Sequence, residues 1–147
     1  MKPSLVLNPS WERVDNPSVP FTFMRMGRSN SNALQISFAW NKERKHLDKN
    51  TTVEILASKL VEDQLNGIPL RKYAGNCRYG KFASIIFSAE NFAHCQVWFI
   101  SNGIHFLAAT FICDAPPALE ELAEAEAMAL SLCFKEPPKK RRWWPLW

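Results

Sequence analysis

The sequence predicts an α+β domain, in which a twisted antiparallel sheet of about five to seven strands packs against two main helices. Three observations lead to this prediction: short segments of alternating apolar residues, two segments with apolar residues at helical spacing, and turn signals between the strand segments. The chain has 147 residues, of which 47% are hydrophobic, enough for one domain with its own core. We expect a single domain over residues 1–136 and a basic, tryptophan-rich tail over residues 137–147.

The first forty residues are predicted to form short strands separated by turns. Residues 4–7 resemble an edge strand, and residues 21–26 begin an alternating pattern that returns in residues 33–40. The cluster GRSNSN between these two segments is typical of a turn, so they are expected to form a hairpin. The charged segment NKERKHLDKN that follows is expected to be a surface loop.

A first helix is predicted to begin at Thr51. Thr51 and Glu54 have the spacing of a capping box, in which each side chain accepts a hydrogen bond from the other residue's backbone amide. We expect the helix to end at Asn66 and Gly67, with Gly67 in the left-handed conformation and Pro69 preventing continuation. Its apolar stripe consists of Val53, Leu56, Ala57, Leu60 and Val61.

A second group of strands is predicted after this helix. The dipeptide Asn102-Gly103 favours a two-residue type I′ turn, which would place Phe99 opposite Phe106 and Trp98 opposite Leu107. Both faces of this hairpin would then be apolar, so a helix, another layer or a partner must cover the second face. The predicted strands are residues 70–73, 77–79, 82–89, 94–101 and 104–113.

A second helix is predicted from residue 118 to about residue 134, capped by Asp114 or Ala115. Its acidic residues lie towards the positive end of the helix dipole and are expected to form a solvated stripe. They are Glu120, Glu121, Glu124 and Glu126. The expected apolar side consists of Leu119, Leu122, Ala125, Ala129, Leu132 and Cys133.

The order of these elements resembles the PsbP/DcrB-like fold, a twisted antiparallel sheet between helices. The segments that carry the resemblance are FTFMRM, ALQISFAW, TTVEILASKLVEDQL, HCQVWFISNGIHFLAATFIC and ALEELAEAEAMALSL. They cover most of residues 20–134. The resemblance implies a binding protein or accessory factor, because members of that fold mostly have such roles and include bacterial chaperones for secreted effectors.

Charge is distributed unevenly along the chain. Residues 1–113 have a net charge of +5, residues 114–134 of −5 and residues 135–147 of +4. The folded body is therefore predicted to be neutral, and the pI of about 9.0 comes from the last thirteen residues. That pI alone does not indicate a nucleic-acid-binding surface.

Cysteine and histidine positions give no catalytic or metal motif. Cys77, Cys95, Cys113 and Cys133 lie about 18 to 20 residues apart without a CxxC pair, so we expect reduced, mostly buried thiols in a cytoplasmic protein. The first residues, MKPSLVLNPSWE, do not predict a signal peptide. His94 and Cys95 are adjacent, so in a strand they would point to opposite faces. No catalytic residue, cofactor or metal ligand is therefore predicted.

The tail PPKKRRWWPLW is the most unusual segment of the sequence. It would suit nucleic acid, a membrane interface, or an apolar groove of this or a neighbouring subunit, and the last is favoured because three exposed indoles would form an apolar patch. Nucleic acid would bind through the basic residues Lys139, Lys140, Arg141 and Arg142.

The function predicted from these features is that of a non-enzymatic protein-interaction module: an accessory, chaperone-like or inhibitory partner of another protein, or a homo-oligomer. A nucleic-acid-binding protein that uses the basic tail is the first alternative, and a cysteine-dependent enzyme is the second. Aromatic and apolar side chains often carry interface energy. The predicted partner-binding residues are Trp98, Ile100, Leu107, Trp143, Trp144 and Trp147.

Overall fold

The computed structural model describes residues 3–14, 21–28, 30–39 and 53–134. These ranges contain nine strands and two α-helices. In chain order the elements are β1 (Pro3–Ser4), β2 (Trp11–Arg13), β3 (Thr22–Arg25), β4 (Ala33–Ala39), α1 (Val53–Lys59), a π-helical turn (Leu60–Gln64), β5 (Ile68–Asn76), β6 (Lys81–Ser88), β7 (His94–Ser101), β8 (Phe106–Cys113), α2 (Leu119–Leu130) and β9 (Cys133–Phe134).

Seven of the strands form one antiparallel sheet with the order β2-β3-β4-β8-β7-β6-β5. Strands β1 and β9 form a separate two-stranded pair, in which Pro3 lies opposite Phe134. The predicted α+β class and the predicted sheet of five to seven strands are confirmed. Strands β2 and β5 are the two edges of the large sheet.

Each face of the sheet has its own apolar core, because alternate residues of the central strands point to opposite sides. On one side, here called the α2 face, Trp98 and Leu107 pack with Met128 of α2. On the other, the α1 face, Val97 packs with Ala57 of α1. The prediction that both faces of the β7–β8 hairpin are apolar is confirmed, and helices of the same chain cover them.

The β7–β8 turn differs from the predicted two-residue turn. Residues 102–105 form a four-residue loop, and Phe99 lies opposite Ala108 instead of Phe106. The Asn102 side chain explains the longer loop, since its Oδ1 accepts hydrogen bonds from the backbone amides of Ile104 and His105, both at 2.9 Å. Side chains alternate between the two faces of a strand, so a shift of two residues leaves each side chain on its predicted face. The predicted faces are therefore correct although the predicted residue pairs are wrong.

The end of the first helix also departs from the prediction. Asn66 takes the left-handed conformation with φ 50°, and Gly67 does not. Gly67 is required for a different reason: a Cβ at this position would lie 2.3 Å from Cδ2 of Phe87. The predicted cap at Thr51 lies outside the described residues. The two strands predicted at 70–73 and 77–79 are replaced by one long strand, β5, followed by a turn.

Helix α2 is shorter than predicted. It begins at Leu119, after Ala118 at the N-cap position, and among the described residues no side chain makes a capping hydrogen bond there. It ends at Leu130, so Cys133 and Phe134 belong to β9 instead of the helix. Leu119 is 86% exposed and does not belong to the apolar side of the helix, whereas the unpredicted Met128 is buried.

Candidate functional site

A cleft of about 530 Å³ lies on the α2 face, between α2 and the outer strands of the sheet. We call it the α2 cleft. Its volume is in the range of small-ligand pockets. Its lining combines polar and charged side chains with three apolar ones: Arg71, Tyr73, Ile86, His94, Gln96, Leu122, Ala123 and Glu126.

Strand register brings the polar residues of the cleft together. Tyr73 of β5 lies opposite Ser84 of β6, and Ser84 in turn lies opposite Trp98 of β7. The neighbouring row on the same face consists of Arg71, Ile86 and Gln96. Side chains two residues apart on a strand share a face, so three strands and one helix contribute to a single cluster.

A continuous set of hydrogen bonds connects this cluster. The Tyr73 hydroxyl donates to Glu126 Oε1 and accepts a hydrogen bond from Gln96 Nε2 at 2.7 Å. Gln96 Nε2 also donates to Ser84 Oγ at 2.9 Å, and Trp98 Nε1 donates to Glu126 Oε1 at 3.2 Å. Buried polar groups are stable when they are paired in this way. The network therefore ties α2 to the sheet.

Two titratable side chains of the cleft are held in their neutral forms. Burial, with the neighbouring Glu126 carboxylate, raises the pKa of Tyr73 above its usual value. Burial lowers the pKa of His94, although a 3.4 Å contact with Gln96 Oε1 works in the opposite direction. At neutral pH the cleft thus contains a neutral phenol and a neutral imidazole, beside the exposed guanidinium of Arg71.

The acidic residues of α2 were predicted to form a solvated stripe, and for three of the four this is wrong. Glu121 is buried, with 7% of its surface exposed. The Glu124 carboxylate accepts a hydrogen bond from Trp11 Nε1 at 3.3 Å and lies 3.2 Å from Arg25 Nε. Glu126 joins the network described above, and only Glu120 is largely exposed. These carboxylates act as polar contacts between α2 and the sheet.

Three of the predicted partner-binding residues lie in the core. The side chains of Trp98, Ile100 and Leu107 are 0% exposed, because they lie in the apolar core on the α2 face of the sheet. A partner would reach them only if α2 moved away from the sheet, so we assign these three side chains to the core. Trp143, Trp144 and Trp147 lie outside the described residues, as do the basic residues Lys139, Lys140, Arg141 and Arg142.

The buried thiols are not activated. Burial raises the pKa of Cys95, and burial together with Glu121 raises the pKa of Cys113 to about 12. His94 lies opposite Cys113 across the strands, a pair that the predicted register did not contain. Within the described chain no hydrogen bond joins these two residues, and Cys113 is 0% exposed. A nucleophilic thiol needs the opposite environment, exposed and electropositive.

The edge strand β5 is the second notable surface. Seven of its nine residues are exposed, including the apolar Ile68 at 68% and Leu70 at 66%. A β-bulge between Pro69 and Arg71 interrupts the pairing with β6 at this end of the strand. Exposed apolar residues beside an open sheet edge are characteristic of interaction sites.

Sequence reasoning did not find the polar residues of the α2 cleft. Gln96 was the available signal: it is a polar residue in the apolar segment HCQVWFI, at a position whose side chain must be covered.

Among residues 3–14, 21–28, 30–39 and 53–134, no cluster of three His, Cys, Asp or Glu side chains has metal-binding geometry. None of the helices in these same ranges has the length and apolar character needed to cross a bilayer.

An antiparallel sheet with one helix on each face defines the class of the fold. Comparison with solved structures shows which known fold of this class the chain shares. The chain is similar to the solution structure of cyanobacterial PsbP (CyanoP) from Synechocystis sp. PCC 6803, with a TM-score of 0.59 and 11% sequence identity. The similarity covers 90% of this chain and 92% of that chain. No family model and no curated protein matches the chain. The chain therefore has a PsbP-like fold.

Proposed function

We propose that the chain is a non-enzymatic protein-binding module with an accessory, chaperone-like or inhibitory role. The observation that carries the proposal is the exposed apolar end of β5, where Ile68 and Leu70 lie at a sheet edge that no further described strand pairs with. Monomeric proteins rarely leave such residues exposed beside an open edge unless something binds there. The PsbP-like fold supports the proposal only as an analogy of architecture.

The chemistry of the described residues favours binding over catalysis. A cysteine-dependent enzyme would need a thiolate, and the raised pKa of Cys95 and of Cys113 opposes its formation. The hydrogen bonds of the α2 cleft are made within the network itself, and one Glu126 oxygen already has two donors. All four cysteines are free thiols, which supports a reducing, cytoplasmic location.

Site-specific photo-crosslinking in the native host tests the proposal. A photoreactive phenylalanine analogue at Leu70 is expected to give a discrete adduct with another protein. The matched control is the same analogue at Glu12, an exposed residue of β2 at the opposite edge of the sheet. No adduct from position 70, or the same adducts from both positions, would overturn the proposal.

Nucleic-acid binding through Lys139, Lys140, Arg141 and Arg142 is retained as a second proposal, because that basic cluster is followed directly by three tryptophans. Deletion of residues 137–147 would then abolish binding of a single-stranded oligonucleotide, and binding by the full chain would fall steeply with salt. Weak binding that survives the deletion, or binding independent of salt, would contradict this second proposal.

A further inference from the structure

The backbone of β5 presents unpaired hydrogen-bonding groups on its outer side. The turn after β5 is closed by two hydrogen bonds between Cys77 and Gly80, at 2.9 and 3.3 Å. In an antiparallel ladder, hydrogen-bonded pairs alternate with non-hydrogen-bonded pairs. Because the register continues unbroken from this turn, the N–H and C=O groups of Lys72, Ala74 and Asn76 point away from β6.

These three residues are accessible. Lys72, Ala74 and Asn76 are all exposed, and β5 is the last strand of the sheet. None of them makes a backbone hydrogen bond to a described residue outside the sheet. The outer side of residues 71–76 therefore has the geometry needed to pair with one more strand.

The first part of β5 is protected against such pairing. Pro69 has no N–H to donate, and the bulge after it twists the strand locally. Proline and bulges block edge pairing with any strand, whereas a charged residue such as Lys72 opposes only strands of like charge. The protection ends with the bulge, so the six residues 71–76 remain open, and the exposed Ile68 and Leu70 directly precede them.

A second copy of this chain does not fit this edge well. Two β5 strands paired antiparallel over all nine residues would bring Pro69 and the bulge of each copy into the new ladder, and would also place Lys72 of one copy opposite Lys72 of the other. Like charges directly opposite each other destabilise a strand pair. The favoured occupant is therefore a segment of a different protein.

The charges around β5 indicate the chemistry of that segment. Residues 65–89 contain four basic residues and no acidic residue. Lys72 Nζ donates to the neutral Ser58 Oγ at 3.2 Å. Glu54 shares a groove with Lys72, and Glu126 shares the α2 cleft with Arg71, but no salt bridge forms in either pair. The positive charges of Arg71 and Lys72 are thus left for an external acidic group.

Resting on the proposed function, we propose that an extended, acidic segment of a partner protein adds to β5 as an eighth strand of the sheet. Its backbone pairs with Lys72, Ala74 and Asn76, and its acidic side chains face Arg71 and Lys72. Main-chain hydrogen bonds provide the affinity in this type of binding, and the charges select the segment.

Selection from a displayed library of random nine-residue segments, with the full chain as bait, tests this inference. We expect the selected segments to be enriched in Asp and Glu. Ala74→Pro removes an outward N–H without a loss to β6 and should abolish their binding, whereas the control Ala74→Val keeps the N–H and should preserve it. Lys72→Glu should weaken binding roughly tenfold or more, and the control Arg28→Glu, at the other end of the sheet, should not.

Binders that tolerate Ala74→Pro, or a library without binders, would overturn strand addition, provided that circular dichroism shows the Ala74→Pro variant to be folded. Binders without acidic enrichment, or insensitive to Lys72→Glu, would overturn the acidic character of the segment. Crosslinking from position 70 reports a bound protein whatever its conformation. Failure of this inference is therefore distinguishable from failure of the proposed function.

Discussion

The phenol of Tyr73 donates a hydrogen bond to the carboxylate of Glu126, and this contact joins the edge strand β5 to helix α2. The two residues are 53 positions apart in the chain. The same carboxylate oxygen accepts the indole N–H of Trp98 from the centre of the sheet. One side chain of α2 thus holds both an edge strand and a central strand.

The Tyr73 contact predicts a loss of stability at alkaline pH. The pKa of Tyr73 is raised in the folded protein, so the folded state retains its phenolic proton at pH values where the unfolded state has released it. The free energy of unfolding should therefore decline as pH rises above about 10, the ordinary tyrosine value. Urea denaturation between pH 8 and pH 11 measures this decline. Tyr73→Phe should reduce it and should cost about 1 kcal/mol at neutral pH.

The control for this prediction is Glu126→Gln, which keeps a hydrogen-bond acceptor and removes the charge. Ultraviolet titration of this variant should show Tyr73 ionising at lower pH than in the unmodified protein. The titration of Tyr73 is isolated by subtracting the curve of Tyr73→Phe. An unchanged curve in Glu126→Gln would contradict the assigned contribution of the carboxylate.

Asn32 is expected not to tolerate a negative charge. Its side chain is 0% exposed, bonds both the amide and the carbonyl of Ala115, and donates to Glu121 at 3.3 Å. Asn32→Asp replaces the donor by a carboxylate beside Glu121, which should cost about 3 kcal/mol at neutral pH. This loss of unfolding free energy should shrink towards pH 4, because the new buried carboxyl group takes up a proton more readily in the folded state than in the unfolded state.

Adding Glu121→Gln to Asn32→Asp provides the matched test. The second change supplies an amide donor for the new carboxylate, so the double variant should be more stable than Asn32→Asp alone. Thermal unfolding of the three variants measures the coupling. If the changes in unfolding free energy caused by the two substitutions were additive, the assigned contact between Asn32 and Glu121 would be incorrect.

Gly67 is predicted to be intolerant of a methyl group. In Gly67→Ala the new Cβ would lie 2.3 Å from the Phe87 ring, which is 2% exposed and cannot move aside freely. Overpacking of this kind typically costs about 1–3 kcal/mol. Chemical denaturation measures the loss, and Phe87→Leu in the same chain should recover part of it. Equal stability of Gly67→Ala and the unmodified protein would disprove the clash.

The thiols are predicted to fall into two reactivity classes. Cys77 and Cys133 are half-buried and should react with a disulfide reagent in the folded protein. Cys95 and Cys113 are buried with raised pKa values and should react only after unfolding. The number of thiols labelled by the reagent, measured with and without denaturant, distinguishes the two classes. Rapid labelling of Cys95 or Cys113 at neutral pH would indicate an activated thiol and would favour the cysteine-enzyme alternative.

The fold was predictable from sequence because its signals are local. Apolar alternation defined the central strands, and helical spacing defined both helices. The register of the β7–β8 hairpin was not predictable in the same way. The dipeptide Asn102-Gly103 alone favours a tight turn, but hydrogen bonds to the side chains of Ser101 and Asn102 stabilise a larger loop. The error of two residues left every side chain on its predicted face.

The candidate site was much less predictable, because its residues come from β5, β6, β7 and α2 and meet only after folding. Glu126 illustrates the difficulty: in an acidic helix it resembles a solvated residue, and only the positions of Tyr73 and Trp98 reveal its contacts. Leu119 shows the reverse, as helical spacing placed it in the core although its side chain is 86% exposed at the first residue of α2.

The pairing of β4 with β8 has a consequence for the folding reaction. It joins segments about 70 residues apart, whereas β5 to β8 are each paired with the next strand in the sequence. Local pairings close small loops and form early, so β5 to β8 should assemble before β4 adds to them. During that interval β8, which is apolar on both faces, is itself an unprotected edge. Refolding at high protein concentration should therefore lose material to aggregation through β8, and rapid completion of the sheet should protect against it.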